Sequence, residues 1–228
     1  MKNRNQGFTL FELVVASAII TTAAGWAIPN YLRTLKQGEV DRYSKAIEVG
    51  FFTLQENLKS ARTTCKLKFD QSNTWLPANQ VLEFGTSSIG INNPERLSCC
   101  NSQLKEVTGE ECPNIQTIQN HPNVNDLLKS IRFLRLQNTP DSKTVEVAIL
   151  SSNGICPNQG DSKKVCYTMP PPGTSAETNP IFFIVRSLSS QNNPKIKARC
   201  IKVIGSSSVN WGTLNGTLDS NNCTFEDE

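Results

Sequence analysis

Histidine is almost missing from this sequence: His121 is the only one in 228 residues. A multi-histidine metal site is therefore excluded, and His121, followed by Pro122, reads as a turn element rather than a ligand. No Gly-x-Ser-x-Gly elbow and no paired-carboxylate motif appears, so no catalytic set is visible and the chain reads as a non-enzyme without a cofactor. The Gly-x-x-x-x-Gly-Lys loop that cradles nucleotide phosphates is missing as well. Charge of one sign is scarce too: 23 basic residues face 20 acidic ones, a formal net charge of +3. Such a balance gives no global electrostatic drive toward nucleic acid or acidic lipid. Charged residues at 19% and aromatics at 7% suit a modest, loop-rich domain of ordinary size, and there is no internal repeat.

What the chain does have is a long apolar run near its start. Residues 7–20 read Gly-Phe-Thr-Leu-Phe-Glu-Leu-Val-Val-Ala-Ser-Ala-Ile-Ile, after a short basic leader carrying Lys2 and Arg4. As a helix, residues 8–28 would be about 31 Å long, against a hydrocarbon core of about 30 Å. One carboxylate, Glu12, stands in this run, five residues after Gly7. A carboxylate at mid-span costs on the order of 2.5–3.5 kcal/mol, so it calls for a reason. An ordinary secretory signal cut near residues 16–18, or a plain membrane anchor, leaves Glu12 unexplained. Flanking charge does not settle orientation, because Arg33 and Lys36 balance Lys2 and Arg4.

The segment closely resembles the class III signal of type IV pilins and pseudopilins, and the likeness runs on through Pro29 and Tyr31. The resemblance implies that a prepilin peptidase cuts after Gly7 and methylates the new N-terminus at Phe8. It implies that Glu12 neutralises the methylated amine at Phe8 of a neighbouring subunit. Residues 8–28 would then be a membrane anchor before assembly and the packed filament core after it. The implied partners are other pilin or pseudopilin subunits, an inner-membrane assembly platform and a separate ATPase. Loss of residues 1–7 would leave 21 basic against 20 acidic residues. The resemblance is specific over residues 1–31, generic over the helix to Ala61 and only architectural beyond Cys65.

Pro29 removes a backbone donor and crowds the preceding turn, so a kink or break is expected there. Helical periodicity nevertheless continues. Val40, Tyr43, Ile47, Phe51, Leu54, Leu58 and Ala61 recur at spacings of three and four, one apolar stripe among mostly polar residues. Gly38 and Gly50 are weak points in it. The expected organisation is a leader at 1–7, a transmembrane half-helix at 8–28, an amphipathic half at 29–64 and a β-rich extracytoplasmic head at 65–228.

Within the head, residues 65–128 are rich in Asn, Ser, Pro and Cys, and stretches 92–100 and 110–125 read as loops. Strand signals improve at 131–137, 143–150, 165–169, 181–186 and 197–204, which are short, β-branched and bounded by turn residues. Val145, Val147 and Ile149 alternate with Thr144, Glu146 and Ala148, as a strand with one buried face should. Residues 170–173, Pro-Pro-Pro-Gly, separate two of these strands by a stiff loop. Strands at hairpin spacing imply an antiparallel sheet covered by the helix stripe, an α+β fold. The polar tail from 219 is expected to be ordered only as far as Cys223.

All eight cysteines (Cys65, Cys99, Cys100, Cys112, Cys156, Cys166, Cys200 and Cys223) follow the apolar run. An even count confined to the exported part points to disulfides in an oxidising compartment. Metal binding is the rival, but no Cys-x-x-Cys pair is present. Eight cysteines allow 105 pairings, so connectivity stays open. The nearest plausible partners are Cys156 with Cys166 and Cys200 with Cys223, the latter resembling the C-terminal disulfide loop of many pilins. Cys99 and Cys100 are not expected to bond to each other, because a vicinal bridge strains the peptide between them.

Three other constellations carry weaker signals. Lys195, Lys197 and Arg199 would share one face of a strand, with Lys202 beyond. That face could contact DNA backbone, but without interleaved aromatics it reads better as a solvated edge. Asp219, Asn221, Asn222 and Glu226 form an oxygen-rich cluster with no EF-hand spacing. The triplets at Asn215 and Asn222 are short enough to be incidental. The resulting expectation is a structural subunit of a type IV pilus or secretion-like filament. It would sit in the cytoplasmic membrane with its head outside, and the length and cysteine content of the head suit a minor pilin or pseudopilin. The alternative is a pilin-like binding module, an adhesin or DNA-uptake subunit.

Overall fold

The computed structural model describes residues 9–61, 64–69, 74–81, 96–99, 122, 133–136, 140–151, 165–170, 173, 179–192, 195–205 and 208–225. A single helix, α1 (Leu10–Ala61), leads into the head. Its 52 residues correspond to about 78 Å. The head contains strands β1 (Cys65–Phe69), β2 (Leu76–Pro77), β3 (Arg96–Ser98), β4 (Phe133–Arg135) and β5 (Val145–Ser151). It continues with β6 (Val165–Met169), β7 (Ile181–Ser187), β8 (Arg199–Ile204), β9 (Ser208–Leu214) and β10 (Cys223–Phe225). A short helix, α2 (Ala78–Val81), and three 3-10 turns, Pro140–Lys143, Leu188–Asn192 and Ser220–Asn222, complete the described elements.

The main sheet is antiparallel throughout, in the order β10-β9-β8-β7-β5-β2. Two further antiparallel ladders pair β1 with β6 and β3 with β4. The second half of α1 lies across this layer, against β4, β5, β7 and β8. The architecture is α+β, a long helix on antiparallel sheets.

The apolar stripe is what holds helix to sheet. Val40, Tyr43, Ile47, Phe51, Leu54 and Leu58 are all fully buried. They meet Val145, Val147 and Ile149 of β5, Ile181, Phe183 and Val185 of β7, and Ile201 and Val203 of β8. The Phe51 ring packs on Phe183 at 5.2 Å between centroids, and Phe69 of β1 meets Phe183 edge-on at 5.6 Å. Fully burying a side chain of this size contributes roughly 1.5–3 kcal/mol, so these six positions are enough to fix the helix on the sheet. Pro29 does not break α1, which continues through it. Asn30 turns its amide back onto the Trp26 carbonyl at 3.3 Å, and Thr34 bonds the Asn30 carbonyl at 3.0 Å.

The far face of the sheet departs from the one-sided strand expected at 143–150. Every residue of β5 from Val145 to Leu150 is buried. Leu150 joins Phe182, Ile184 and Cys200 in a second cluster, packed by Trp75, Leu214, Leu218 and Phe225. On this face Glu146 pairs with its register partner Arg186 at 2.7 Å, and the guanidinium lies 4.1 Å from the Trp75 ring centre. Stretch 92–100, read as a loop, contains β3. The tail is ordered beyond Cys223, because β10 pairs with β9 as far as Phe225.

Two disulfides fall within the described residues. Cys65 bonds Cys99, tying the start of β1 to the end of β3, and Cys200 bonds Cys223, as expected for the C-terminal pair. Cys99 is thus spoken for, which agrees with no Cys99–Cys100 bridge. Of the suggested Cys156–Cys166 pair, Cys166 stands in β6 while Cys156 lies outside the described residues, as do Cys100 and Cys112. Gly212 makes the second bridge possible. It sits in register between Cys200 and Phe225, and a Cβ there would run into the Thr224 carbonyl oxygen. Strands two apart in a flat sheet are separated by about 9.5 Å. Without a side chain at Gly212, β10 closes over β9 and brings the two cysteine Cα atoms to 6.0 Å.

Candidate membrane and assembly site

The first half of α1 carries the functional signal, and no described residue of the head covers it. Leu10, Phe11, Leu13, Ile19, Ile20, Trp26, Ile28 and Leu32 are all exposed, Leu10 by 84% and Trp26 by 77%. This helix is long and apolar enough to cross a membrane. Its polar side chains are compatible with lipid because they satisfy themselves on their own backbone. Ser17 donates to the Val14 carbonyl at 2.9 Å, while Thr21 and Thr22 both bond the Ala18 carbonyl.

Glu12 has a local partner that the reading of residues 7–20 missed. Thr9 is the N-cap of α1: its carbonyl accepts the Leu13 N–H at 3.2 Å, and its hydroxyl accepts the Glu12 N–H at 3.3 Å. The Glu12 carboxylate reaches back to the Thr9 N–H at 2.9 Å and also accepts the Thr9 hydroxyl at 2.9 Å. This is a reciprocal capping box, in which one side chain from each end satisfies an orphan donor of the first turn. The signature was present in the sequence as Thr9-Leu-Phe-Glu12. A membrane helix therefore does gain something from a carboxylate near its start, contrary to the sequence argument. Both contacts use Oε2, and Oε1 has no partner among the described residues. Gly7 and Phe8, the expected processing residues, lie outside the described residues.

Where α1 meets the head, polar contacts fix its rotation and height. Gln37 clamps the Lys197 backbone, donating to its carbonyl at 3.2 Å and accepting its N–H at 2.9 Å. One turn on, Asp41 pairs with Arg199 at 2.7 Å. Arg42 forks onto Asp141 with two bonds of 2.9 Å, and that carboxylate raises the guanidinium further above its ordinary value. An open cleft of about 470 Å³ lies here, lined by Asp41, Arg42, Lys45, Arg199, Trp211 and Gly212. Its cations are already matched, Lys45 by Glu48 at 2.6 Å.

The weaker constellations resolve into structural duties. Lys195 and Lys197 precede β8 instead of sharing a strand face with Arg199, and Lys202 sits over the Phe225 ring at 5.1 Å. Asp219 caps a 3-10 turn through the Asn221 N–H, and the Asn222 amide bonds Thr217. No group of three or more potential metal ligands occurs among the described residues. Asn215 spends its amide on Thr224. His121 and Glu226 lie outside the described residues.

No curated protein and no solved structure matches the chain. Residues 2–28, the segment that ends in the uncovered half of α1, match the family described as the prokaryotic N-terminal methylation motif, so the N-terminus of the chain carries the type IV prepilin signature.

Proposed function

We propose that this protein is a structural subunit, a minor pilin or pseudopilin, of a type IV pilus or type II secretion-like filament. One observation carries the reading. The methylation motif runs directly into a helix whose second half packs in the core of the head and whose first half is exposed, uncovered by any described residue of the head. Lipid covers that first half before assembly, and the helices of neighbouring subunits cover it afterwards. The subunit sits in the cytoplasmic membrane by a single pass, with its head on the far side, and reaches the surface in the filament. A prepilin peptidase removes residues 1–7 and methylates Phe8. An inner-membrane platform and a separate ATPase drive polymerisation, since the chain has no nucleotide loop. No catalytic step is assigned to the head.

Glu12 then has two roles, one for each oxygen. Oε2 completes the capping box, and Oε1 is open to the methylated amine of a neighbour. Pairing two charges is what makes either tolerable in an apolar core. The binding-module alternative has less support, because Arg199 is tied to Asp41 and Lys202 to Phe225. The test is intact-mass analysis of membrane-extracted protein. The expected species begins at methylated Phe8, and replacement of Gly7 by a bulky residue blocks its appearance. A chain starting at Met1 or near Ile19 would overturn the proposal.

A further inference from the structure

Just above the apolar half of α1, the fold gathers positive charge that the overall balance conceals. Arg33, Gln37, Asp41 and Lys45 stand in one row at helical spacing of four. Gln37 holds the Lys197 backbone against this row, and Asp41 holds Arg199. The loop entering β8 is thereby pinned one turn above Arg33, with Lys195 and Lys197 both exposed. At this level, among the described residues, Arg33, Lys36, Lys197 and Arg199 stand beside two helix carboxylates, Glu39 and Asp41. Glu39 is engaged by Lys36 at 3.0 Å and Asp41 by Arg199. Arg33 and Lys197 have no carboxylate partner among the described residues.

The height of this group above the span can be worked out. Trp26 and Tyr31, both exposed, bracket Ile28 as interfacial aromatics do, which puts the hydrocarbon edge near Ile28. At 1.5 Å per residue, Arg33 lies about 8 Å beyond Ile28, Lys36 about 12 Å and Gln37 with its clamped Lys197 about 14 Å. Headgroups occupy roughly the first 6 Å, and charges are screened only over about 8 Å more. The basic group falls inside that window, and lysine stems are flexible enough to reach down. We propose that Arg33, Lys36 and Lys197 form a basic collar that seats the head on anionic phospholipid headgroups while the subunit waits in the membrane. The proposal rests on the reading of residues 8–28 as a membrane span. Duplex DNA is less favoured, because the collar faces the bilayer side of the head and no aromatic is interleaved with it.

The full-length protein, reconstituted in vesicles, tests this. A membrane-impermeant amine reagent labels exposed lysines, and Lys59, at the far end of α1, serves as the internal reference. In phosphatidylcholine vesicles, flotation establishes that the chain is anchored. Replacing a third of that lipid by phosphatidylglycerol is expected to lower Lys36 and Lys197 labelling relative to Lys59 by about fivefold or more, since each basic charge near an anionic surface contributes about that factor. High salt and Arg33→Gln should each restore much of the labelling. Equal labelling in both lipids, with flotation intact, would overturn the collar alone. Failure to float would overturn the span and the collar together. Stronger protection by a duplex oligonucleotide than by anionic vesicles would assign the surface to nucleic acid instead.

Discussion

On the filament reading, Glu12→Gln separates two jobs proposed for a single carboxylate. The glutamine amide oxygen still accepts the Thr9 N–H, since Glu and Gln serve equally at this position of a capping box, so the first turn stays capped. What disappears is the charge. Glu12→Ala loses both, whereas Thr9→Ala loses the hydroxyl half of the box and keeps the charge. Loss of an N-cap costs about 0.5–2 kcal/mol and is confined to the first turn. Among the described residues the first hydrogen bond from α1 to the head is made by Gln37, about 37 Å further along the helix, so head stability should not move in any of the three variants. Leaving a neighbour's amine unpaired in an apolar filament core would cost far more, about 3–5 kcal/mol, or roughly two to four orders of magnitude in incorporation. The assay is the ratio of processed subunit in sheared filaments to that in membrane, with mass analysis to confirm cleavage in each variant. The expected order is wild type, then Thr9→Ala within about tenfold, then Glu12→Gln and Glu12→Ala together at the bottom. Glu12→Asp should fall between, because its charge remains but its reach is shorter. Wild-type incorporation of Glu12→Gln would refute the charge-pairing role and leave Glu12 as a helix cap alone.

Two predictions concern the head. Phe51→Ala should destabilise it by about 3–5 kcal/mol in urea denaturation, because the ring is fully buried against Phe183. Phe52→Ala, one position round the helix and 43% exposed, should change it by less than about 1 kcal/mol, and equal effects would contradict the orientation of α1. Replacing Cys200 and Cys223 together by serine should cost about 3 kcal/mol by freeing a 23-residue separation in the unfolded chain, and an unchanged thermal midpoint would show that β10 holds its place without the bridge.

The helix and its buried face were legible because periodicity is a local property with a long run to express it. Six of the seven stripe positions are described with their side chains, and all six are at zero exposure. The strands at 145–151, 165–169 and 181–187 were legible for the same reason, being β-branched and bounded by turns. Strand β9, Ser208–Leu214, was not, since Ser-Val-Asn-Trp-Gly-Thr-Leu has polar residues and a glycine where alternation would be sought. Its glycine is there for β10, a tertiary reason that no local pattern carries. β1 was hidden by the alternation Cys-Lys-Leu-Lys-Phe lying inside a loop-rich stretch, although its period of two puts Cys65, Leu67 and Phe69 in the core. At the N-terminus the motif pointed to Glu12 but not to Thr9, because an apolar run displays the cost of its one carboxylate and not that carboxylate's reach back to the first turn. The spacing of three between Thr9 and Glu12 was the signal available. The Gln37–Lys197 and Arg42–Asp141 contacts join residues 160 and 99 positions apart, and only the fold brings them together.

On the filament reading, the placement of a single carboxylate follows from what the rest of the span cannot do. Moving residues 10–35 from lipid into a bundle of like helices exchanges one apolar environment for another, so burial supplies little net drive and no preferred register. Leu10, Phe11, Leu13 and their neighbours would pack almost as well one turn up or down. A charge pair behaves differently. Sliding a neighbour by one turn, about 5.4 Å, strands both Glu12 and the amine of Phe8 without partners in a medium that penalises each by several kcal/mol. The capping box sharpens this by holding the carboxylate through Oε2, which leaves Oε1 in a fixed direction at the helix end. Register is therefore set by the one group in the span that is costly when misplaced, and the apolar residues around it supply contact without choosing a position.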